Sequence, residues 1–217
     1  MTRVVLVRHG ETDWNAESRM QGWAPVPLND RGRAQAEAVA PWLADEFDVD
    51  RVHASDLART RETAERILPA LSVDGSAVEY DPAWRERDLG VYQGLPLETA
   101  DERFPEFALG EAAARAHRKS PESGESLAEV HGRVVDAFEA IVSTADPGET
   151  RLVVTHGGPI HLLLGHVKGF DVERAVLEHS MDNCAVVVLD CASGVEVVRE
   201  NATDWLAGTD LTAEHVG

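Results

Sequence analysis

The sequence predicts an α/β fold with a mainly parallel central sheet and helices on both faces. Short runs of β-branched and aliphatic residues alternate along the chain with longer segments whose apolar residues recur at helical spacing. This alternation is typical of parallel strands that are joined by crossover helices. The chain has 217 residues, which is enough to bury the core of one such domain.

The first half of the chain alternates strands and helices in this way. The predicted elements are a strand over 3–7, a polar loop over 8–29, a helix over 31–46, a strand over 52–54, a helix from Asp56 to Leu71 and a strand over 78–80. Asn29 or Asp30 is suited to cap the first of these helices. Pro41 is expected to kink or divide that helix, because proline removes one backbone hydrogen bond.

The second half begins with a segment that has several prolines and no clear period, which we interpret as an insertion over the edge of the sheet. The predicted elements are this insertion over 82–123 with short helices near 97–103 and 110–118, a helix over 127–142, a strand over 151–155, a helix over 159–167, and strands over 184–189 and 195–199 joined by a Ser193-Gly194 turn. Residues 1–200 are expected to form a single domain. Residues 201–217 are expected to form an acidic tail, whose Trp205 and Leu206 could dock on it.

The chain is strongly acidic, with a formal net charge of -19 at pH 7. Nucleic acid and anionic membranes repel such a surface, so we expect neither as a partner. The composition resembles that of proteins from salt-loving organisms, and the alternative is an ordinary acidic bacterial protein. At about 1 M salt the Debye length is only ~3 Å, so close arginine–phosphate contacts would survive while the long-range field is screened.

The sequence is expected to belong to a cytoplasmic protein without a membrane helix, and its cysteines are expected to be free. It has no run of about 18 apolar residues that would form a membrane helix, and its first residues lack the pattern of a signal peptide. Its two cysteines are expected to be free thiols. A strand over 184–189 would hold Cys184 and Cys191 about 20 Å apart, beyond the ~7 Å limit for a disulfide.

Two of the predicted strands end in a His-Gly motif. Arg8-His9-Gly10 follows the strand over 3–7, and His156-Gly157 follows the strand over 151–155. In an open α/β sheet, ligands bind just outside the carboxyl ends of the strands. The two motifs therefore predict two imidazoles that face each other across a single pocket.

The residues around these histidines, with two further blocks, resemble the signature of the histidine phosphatase superfamily, the phosphoglycerate mutase-like proteins. The four blocks follow the family's order and cover most of the chain up to about Val167: Arg8-His9-Gly10-Glu11-Thr12 with Trp14-Asn15, Ser55-Asp56-Leu57-Ala58-Arg59-Thr60 through Thr63-Ala64, Arg85-Glu86 with Gly90 and Gln93-Gly94, and Thr155-His156-Gly157-Gly158. The resemblance implies a phosphoglycerate mutase-like fold and an enzyme that acts on phosphoryl groups.

The resemblance also implies a nucleophile and a phosphate site. His9 is the expected nucleophile, since a neutral imidazole can attack phosphorus and form a phosphohistidine. Nearby cations disfavour the imidazolium form, so Arg8 and Arg59 would bind phosphate and keep His9 neutral. The expected phosphate-binding residues are Arg8, Asn15, Arg59, His156 and Gly157, the last at a helix N-terminus that favours anions. Taken alone, each residue also has a structural interpretation, such as a strand-end histidine or an exposed helix arginine.

Glu86 is the expected general acid. A phosphate monoester leaves as an alkoxide unless its oxygen is protonated, and the like charge of a bound phosphate raises the pKa of a neighbouring carboxylic acid. Within Arg85-Glu86-Arg87-Asp88, the other interpretation is a solvated loop glutamate. Glu11 is the alternative acid, although a family glutamate at that position usually braces the loop.

Departures from the mutase pattern favour a phosphatase that acts on small phosphorylated metabolites. Gln21-Gly22, which we expect to contact substrate, stands where mutases typically carry Thr or Ser before Gly. The insertion over 95–123 is short and lacks the paired basic residues with which mutases hold a bisphosphoglycerate. Pro25 stands near where many members have an acidic residue, which leaves the mouth of the pocket undefined. A cofactor-dependent phosphoglycerate mutase is the alternative.

Two further classes of function stay open on the sequence alone. A metal-dependent hydrolase could use His9 and His156 as ligands, but no His-x-x-His or paired-carboxylate spacing supports it. A non-catalytic regulator could bind phosphorylated ligands. An inactive descendant of an enzyme would be free to lose one of the catalytic or phosphate-binding residues, but His9, Arg59, Glu86 and His156 are all present. We expect no cofactor and no metal. The sequence leaves the oligomeric state, including a homodimer, open.

Overall fold

The protein is built on one mixed sheet in the described part of the chain, which comprises residues 2–73, 78–178, 180–206 and 209–211 of a computed structural model. Six strands lie in the order β3-β2-β4-β1-β5-β6. They are β1 (Arg3–Arg8), β2 (Arg51–Ala54), β3 (Val78–Tyr80), β4 (Thr150–Thr155), β5 (Val186–Asp190) and β6 (Glu196–Ala202). The pairs β3-β2, β2-β4 and β4-β1 are parallel, whereas β5 and β6 are added antiparallel. This confirms the predicted mainly parallel sheet.

Eight α-helices accompany these strands within the described residues. They are α1 (Asp13–Ala16), α2 (Asp30–Glu46), α3 (Ala58–Ile67), α4 (Leu97–Arg103), α5 (Glu111–Arg115), α6 (Leu127–Thr144), α7 (Gly157–Val167) and α8 (Val172–Leu177). Single 3₁₀ turns lie at Leu68–Ala70, Pro82–Trp84, Gly90–Tyr92 and Asp204–Leu206. None of the helices described is both long and apolar enough to cross a lipid bilayer.

The side chains of β1 alternate between the two faces of the sheet and divide the core into two layers. Val4 and Leu6 pack with residues of α6 and α7 on one face. Val5 and Val7 pack with residues of α2 and α3 on the other face. All four side chains are fully buried, which confirms the buried strand that this apolar run predicted.

The predicted insertion packs on the loop that follows β1. Met20 from that loop forms a small third core with Ala100 and Ala108 of the insertion. An isolated β-bridge also joins Arg19 to Pro96. The helix predicted near 97–103 is confirmed as α4, whereas α5 ends at Arg115, before the predicted residue 118. The insertion is thereby fixed beside the strand ends that carry the two histidines.

Two expectations about the first helices were wrong, namely an uninterrupted loop over 8–29 and a division of the second helix at Pro41, whereas a kink at Pro41 stays a prediction. The predicted loop over 8–29 contains α1, because Thr12 and Asn15 form a capping box that starts one helical turn. Pro41 does not divide α2, which is continuous from its cap at Asn29 to Glu46. The residues around Pro41 include Val39 and Leu43, which are fully buried, and this packing offsets the missing hydrogen bond.

Several element boundaries differ from the prediction, among them the end of α3 at Ile67 rather than Leu71, and two of the differences have a clear local cause. Helix α3 begins at Ala58 and not at Asp56, because Leu57 has an extended ψ of 149° and the Asp56 side chain pairs with Arg85. Strand β5 begins at Val186 and not at Cys184, because Cys184 has a left-handed φ of 57°. Both cysteines are free, as predicted.

Part of the predicted tail packs on the rest of the protein. The side chain of Leu206 is buried, and Trp205 packs against the core layer that contains α2 and α3. The side-chain amide of Gln35 in α2 donates a hydrogen bond of 3.3 Å to the carbonyl of Leu211. Positions 207, 208 and 212–217 of the predicted tail lie outside the described residues.

Candidate active site

The carboxyl ends of β1 and β4 bring the two predicted histidines together. The strands are parallel neighbours, with Arg8 opposite Thr155, and the His9 amide donates to the Thr155 carbonyl at 2.9 Å. The ring centroids of His9 and His156 lie 5.1 Å apart at an interplanar angle of 62°. Both side chains are buried, with exposures of 3% and 0%. The site therefore contains two adjacent imidazoles with little access to water.

Hydrogen bonds define the protonation state of His9. Its Nδ1 lies 2.7 Å from the carbonyl oxygen of Gly10, which can only accept a hydrogen bond, so Nδ1 carries the proton. Its Nε2 lies 3.2 Å from Nε of Arg59, which can only donate, so Nε2 presents its lone pair. His9 is thus a neutral imidazole whose Nε2 is the unprotonated ring nitrogen.

The electrostatics of the site favour the neutral form of both histidines. Burial lowers the pKa of His9 well below its ordinary value, and the charges of Arg59 and Arg8 lower it further. Burial also lowers the pKa of His156 well below its ordinary value, with Arg59 as the next cause. Both imidazoles are therefore uncharged at neutral pH.

Arg59 is held beneath the loop that follows β1. It lies in the first turn of α3, as predicted, and its side chain is almost fully buried. Its two terminal nitrogens donate to the carbonyls of Gly22 at 2.8 Å and Ala24 at 3.3 Å. Burial lowers the pKa of Arg59 to about 10, so the guanidinium still carries its charge at neutral pH.

Two buried nitrogens in the site have no hydrogen-bond partner among the described residues: Nε of Arg8 and Nδ1 of His156. Arg8 donates from Nη1 to the carbonyl of Met181. His156 contacts the Ser55 hydroxyl through Nε2 at 2.9 Å. Because unpaired buried nitrogens are unfavourable, an oxyanion that accepts from both would stabilise the site.

Glu86 lies against the N-terminal end of α7, next to His156. Its Oε2 accepts from the amide of Gly158 at 3.2 Å, and its Oε1 accepts from the amide of Arg87 at 2.9 Å. A Cβ atom at Gly158 would lie 2.2 Å from Oε1 of Glu86, so a glycine is required for this approach. The loop before Glu86 is tied to β4 by Thr155, whose hydroxyl donates to the Trp84 carbonyl at 2.7 Å.

The arginines on either side of Glu86 are engaged elsewhere. Arg85 makes two hydrogen bonds of 2.6 Å to the Asp56 carboxylate, and its guanidinium lies 4.4 Å from the ring centroid of Trp23. Arg87 is 5% exposed and donates to the carbonyls of Glu125 and Lys119. Within this charged segment, the Glu86 carboxylate is bonded to α7, whereas the guanidinium groups of Arg85 and Arg87 are bonded to other parts of the protein.

Other predicted site residues take supporting positions. Oδ1 of Asn15 accepts from the amide and hydroxyl of Thr12 in the capping box, at 3.2 and 3.0 Å. Gly22 has a left-handed φ of 52°, and its carbonyl holds Arg59. Oε1 of Gln21 is buried without a hydrogen-bond partner in the described part of the chain. Gly157 starts α7 directly beside Arg8.

The Glu11 carboxylate braces the loop through contacts with Asn29 and Arg31. Its Oε1 accepts from the Asn29 side chain at 2.9 Å, and its Oε2 lies 3.5 Å from Nε of Arg31. Its amide donates to Gln35 at 2.9 Å. Of the two candidate acids, Glu86 is therefore the one bonded to the first turn of α7, which follows His156.

Three residues that the sequence did not single out also contact the site. The Trp23 indole donates to the Glu86 carbonyl at 2.7 Å, and Arg133 donates to the same oxygen at 2.9 Å. Asn183 donates to the His9 carbonyl at 3.0 Å. Trp23 lies close to Gln21-Gly22 in sequence, whereas Arg133 and Asn183 come from distant segments without a recognisable motif.

The described residues contain no group of three or more His, Cys, Asp or Glu side chains placed to hold a metal ion. The site instead combines a neutral imidazole, two guanidinium groups, a second imidazole and a carboxylate. Arginine forks and backbone amides at a helix N-terminus bind phosphate oxygens well. Fold and site together define an α/β enzyme that acts on phosphoryl groups.

Comparison with known proteins gives the family. The profile of the histidine phosphatase superfamily, branch 1, matches residues 4–203. The chain belongs to the histidine phosphatase superfamily, and it is a phosphoric monoester hydrolase of that type.

Individual relatives agree with this assignment. The chain is 37% identical over 200 residues to the uncharacterized phosphatase PhoE of Bacillus subtilis. The matched region covers 92% of this chain and 91% of PhoE. It is 42% identical over 160 residues to phosphoglycerate mutase-like protein 4 of Arabidopsis thaliana, covering 74% of this chain and 68% of that protein. The structure of a mycobacterial glucosyl-3-phosphoglycerate phosphatase, solved with VO3, is 29% identical in sequence and has a TM-score of 0.79. The match covers 93% of this chain and 99% of that chain.

Proposed function

We propose that the enzyme hydrolyses small phosphorylated metabolites through a phosphohistidine formed on Nε2 of His9. The observation that carries this proposal is the pair of hydrogen bonds at His9. Gly10 fixes the proton on Nδ1, and the Nε2 lone pair accepts a hydrogen bond from the Arg59 guanidinium, a phosphate-binding group, with the His156 ring adjacent. A neutral, oriented imidazole is the form of histidine that can attack phosphorus.

In the first step, Nε2 of His9 forms a bond to phosphorus while the bond from phosphorus to the ester oxygen breaks. Glu86, in its protonated form, gives its proton to the leaving alkoxide. Arg8, Arg59 and His156 Nδ1 surround the phosphoryl oxygens and stabilise their charge. In the second step, water attacks the phosphohistidine, Glu86 takes a proton from that water, and neutral His9 is released.

The contacts near Glu86 favour hydrolysis over a mutase reaction. A mutase must hold a doubly phosphorylated intermediate, which needs cations for a second phosphate. Arg85 is paired with Asp56, and Arg87 is bonded to backbone carbonyls. Among the relatives, PhoE is named a phosphatase, and the plant relative is named mutase-like.

Metal-independent hydrolysis is part of the proposal, because the guanidinium groups of Arg8 and Arg59 supply the positive charge.

We also propose that the enzyme works in the cytoplasm, where its two free thiols fit the reducing conditions. The acidic composition supports activity in molar salt. Size-exclusion chromatography with light scattering distinguishes a monomer from a homodimer.

A substrate screen tests the proposal. Phosphoglycerates, sugar phosphates, phosphoserine and nucleotides are incubated with the enzyme in excess chelator, at low and at molar salt. We expect release of inorganic phosphate from at least one small ester under chelation. Loss of activity in chelator that a divalent metal restores would favour the metal-dependent hydrolase. Interconversion of 2- and 3-phosphoglycerate without phosphate release would favour the mutase.

A further inference from the structure

We propose that Arg133, in helix α6, is a positioning residue that holds Glu86 in place for proton transfer. This inference rests on the proposed role of Glu86 as the general acid. Arg133 binds the backbone of residues 83–88, here called the acid loop. Its charge also contributes to the lowered pKa of His156, after burial, Arg59 and His9, and Arg133→Lys keeps that charge.

Arg133 binds three carbonyl groups of the acid loop. Its Nη1 donates to the carbonyls of Ala83 at 2.8 Å and Arg85 at 2.7 Å. Its Nη2 donates to the carbonyl of Glu86 at 2.9 Å. These carbonyls belong to residues on both sides of the Arg85–Glu86 peptide bond, so one guanidinium fixes the direction in which the Glu86 side chain leaves the backbone.

Glu125 holds Arg133 and the far end of the acid loop. Its carboxylate accepts from Arg133 Nε at 3.0 Å and from Nη2 at 2.9 Å. The same carboxylate accepts from the Asp88 amide at 3.1 Å, and the Glu125 amide donates to the Asp88 carbonyl at 2.9 Å. The side chains of Arg133 and Glu125 are 19% and 21% exposed. The pair therefore grips the acid loop from residue 83 to residue 88.

Glu86 needs this support because its own carboxylate is held by two amides on different segments. One amide is that of Arg87 in the loop, and the other is that of Gly158 in α7. A shift of the loop relative to α7 would break one of these bonds and move the acid away from the leaving oxygen. A misplacement of about 1 Å costs on the order of 100-fold in rate.

The arginine fork is specific to this task. Its planar guanidinium places several N–H groups at fixed angles, whereas a lysine ammonium is a single point that cannot reproduce them. Arg133→Lys therefore keeps the charge opposite Glu125 but loses the simultaneous contacts to the three carbonyls. A purely structural role for Arg133 would lower the stability of the protein without affecting one class of substrate more than another.

The test compares two phosphate esters in Arg133→Lys. We expect kcat for an alkyl phosphate to fall about 10- to 100-fold, with kcat for 4-nitrophenyl phosphate and both KM values little changed. An alkoxide needs a proton as its bond breaks, whereas nitrophenolate leaves as a stable anion. An equal fall for the two esters would overturn the inference.

Arg151 supplies a matched control. It is 4% exposed, pairs with Glu149 at 3.1 Å and donates to the Thr144 hydroxyl and carbonyl at 2.8 Å. It lies near the start of β4, at the opposite end of that strand from His156. Arg151→Lys should lower the melting temperature and leave the ratio of the two rates unchanged. A ratio that changes as much as in Arg133→Lys would contradict the inference.

Two more variants complete the test. Glu125→Gln keeps an acceptor for the Asp88 amide but removes the charge that holds Arg133, so the same selective loss is expected even if Arg133→Lys does not fold. Glu86→Gln is measured alongside. If Glu86→Gln shows no preference between the esters, the proposed function of Glu86 fails. If Glu86→Gln is selective but Arg133→Lys and Glu125→Gln are not, the positioning role alone fails.

Discussion

The role of Glu86 depends on its environment rather than on its place in a charged run. Arg85 and Arg87 flank it, yet both guanidinium groups are bonded elsewhere. Its carboxylate faces the amide of Gly158, next to His156. A phosphate ester bound between Arg8 and His156 would lie close to this carboxylate, which is the position that proton donation to the leaving oxygen requires.

Glu86→Gln separates proton donation from binding. The substitution keeps the size of the side chain and removes its acidic proton. General acid catalysis typically contributes ~10²–10⁴-fold, so kcat for an alkyl phosphate should fall by about that factor. The rate with 4-nitrophenyl phosphate should fall much less. Equal losses for the two esters would show that Glu86 shapes or binds, and the proton donor would have to be another group.

The residues that the sequence identified and those that it missed differ in how they are linked to the site. His9 and His156 follow adjacent parallel strands, so their meeting follows from strand ends alone. Arg133 acts on Glu86 across 47 residues, through carbonyl groups that every residue carries. A side chain that binds another segment's backbone leaves no pattern in the sequence.

Helix α7 supports the site through its first turn. Gly158 allows the helix to approach Glu86, and its amide points at the carboxylate. The space beside this glycine is filled by the Glu86 carboxylate rather than by another part of the core. A side chain at this position would therefore affect catalysis more than folding.

Gly158→Ala tests this arrangement. The added methyl would lie 2.2 Å from Oε1 of Glu86, and the flexible carboxylate would move aside. We expect a fall of about tenfold or more in kcat for an alkyl phosphate, with a small change in melting temperature.

Gly132→Ala is the control for this variant. Gly132 lies exposed in α6, and a Cβ atom there would meet nothing within 4 Å. This variant should gain up to ~1 kcal/mol in the free energy of unfolding, because alanine is the better helix former, with unchanged kinetics. Equal kinetics in Gly158→Ala and wild type would contradict the account of α7.

Elements with clear periodicity were predicted well, and elements defined by tertiary contacts were not. Helix α6 was predicted over 127–142 and extends to Thr144. Helix α8 was not predicted, because its six residues are too short for a period to show. It packs on α7, where a Cβ atom at Gly165 would lie 2.2 Å from Cβ of Ala175. Helix α7 begins at Gly157, earlier than the predicted residue 159.

At the scale of the whole molecule, the site makes stability depend on pH. His9 and His156 are buried as neutral imidazoles, and burial lowers the pKa of each well below its ordinary value in the folded protein. In the unfolded chain, a histidine titrates near pH 6.5. Below that pH the unfolded state binds protons that the folded state does not bind, so acid favours unfolding.

The predicted effect is full stability above about pH 6.5 and a loss of about 1.4 kcal/mol per pH unit below it for each of the two histidines. Denaturant unfolding of the wild type and of His156→Gln, at several values between about pH 7.5 and 5, measures it. The variant removes one titrating group, so its free energy of unfolding should fall less steeply with acid, by about 1.4 kcal/mol per pH unit. Parallel pH profiles would show that His156 is not buried as a neutral group.

The central claim is that His9 carries the phosphoryl group during turnover. The most direct measurement mixes the enzyme briefly with a radiolabelled aryl phosphate, quenches in alkali and isolates the protein. We expect a phosphoprotein that is stable in alkali and labile in acid, with the label on the peptide that contains His9. His9→Ala should lose both the label and turnover. Full turnover in His9→Ala, or label on another residue, would contradict the account.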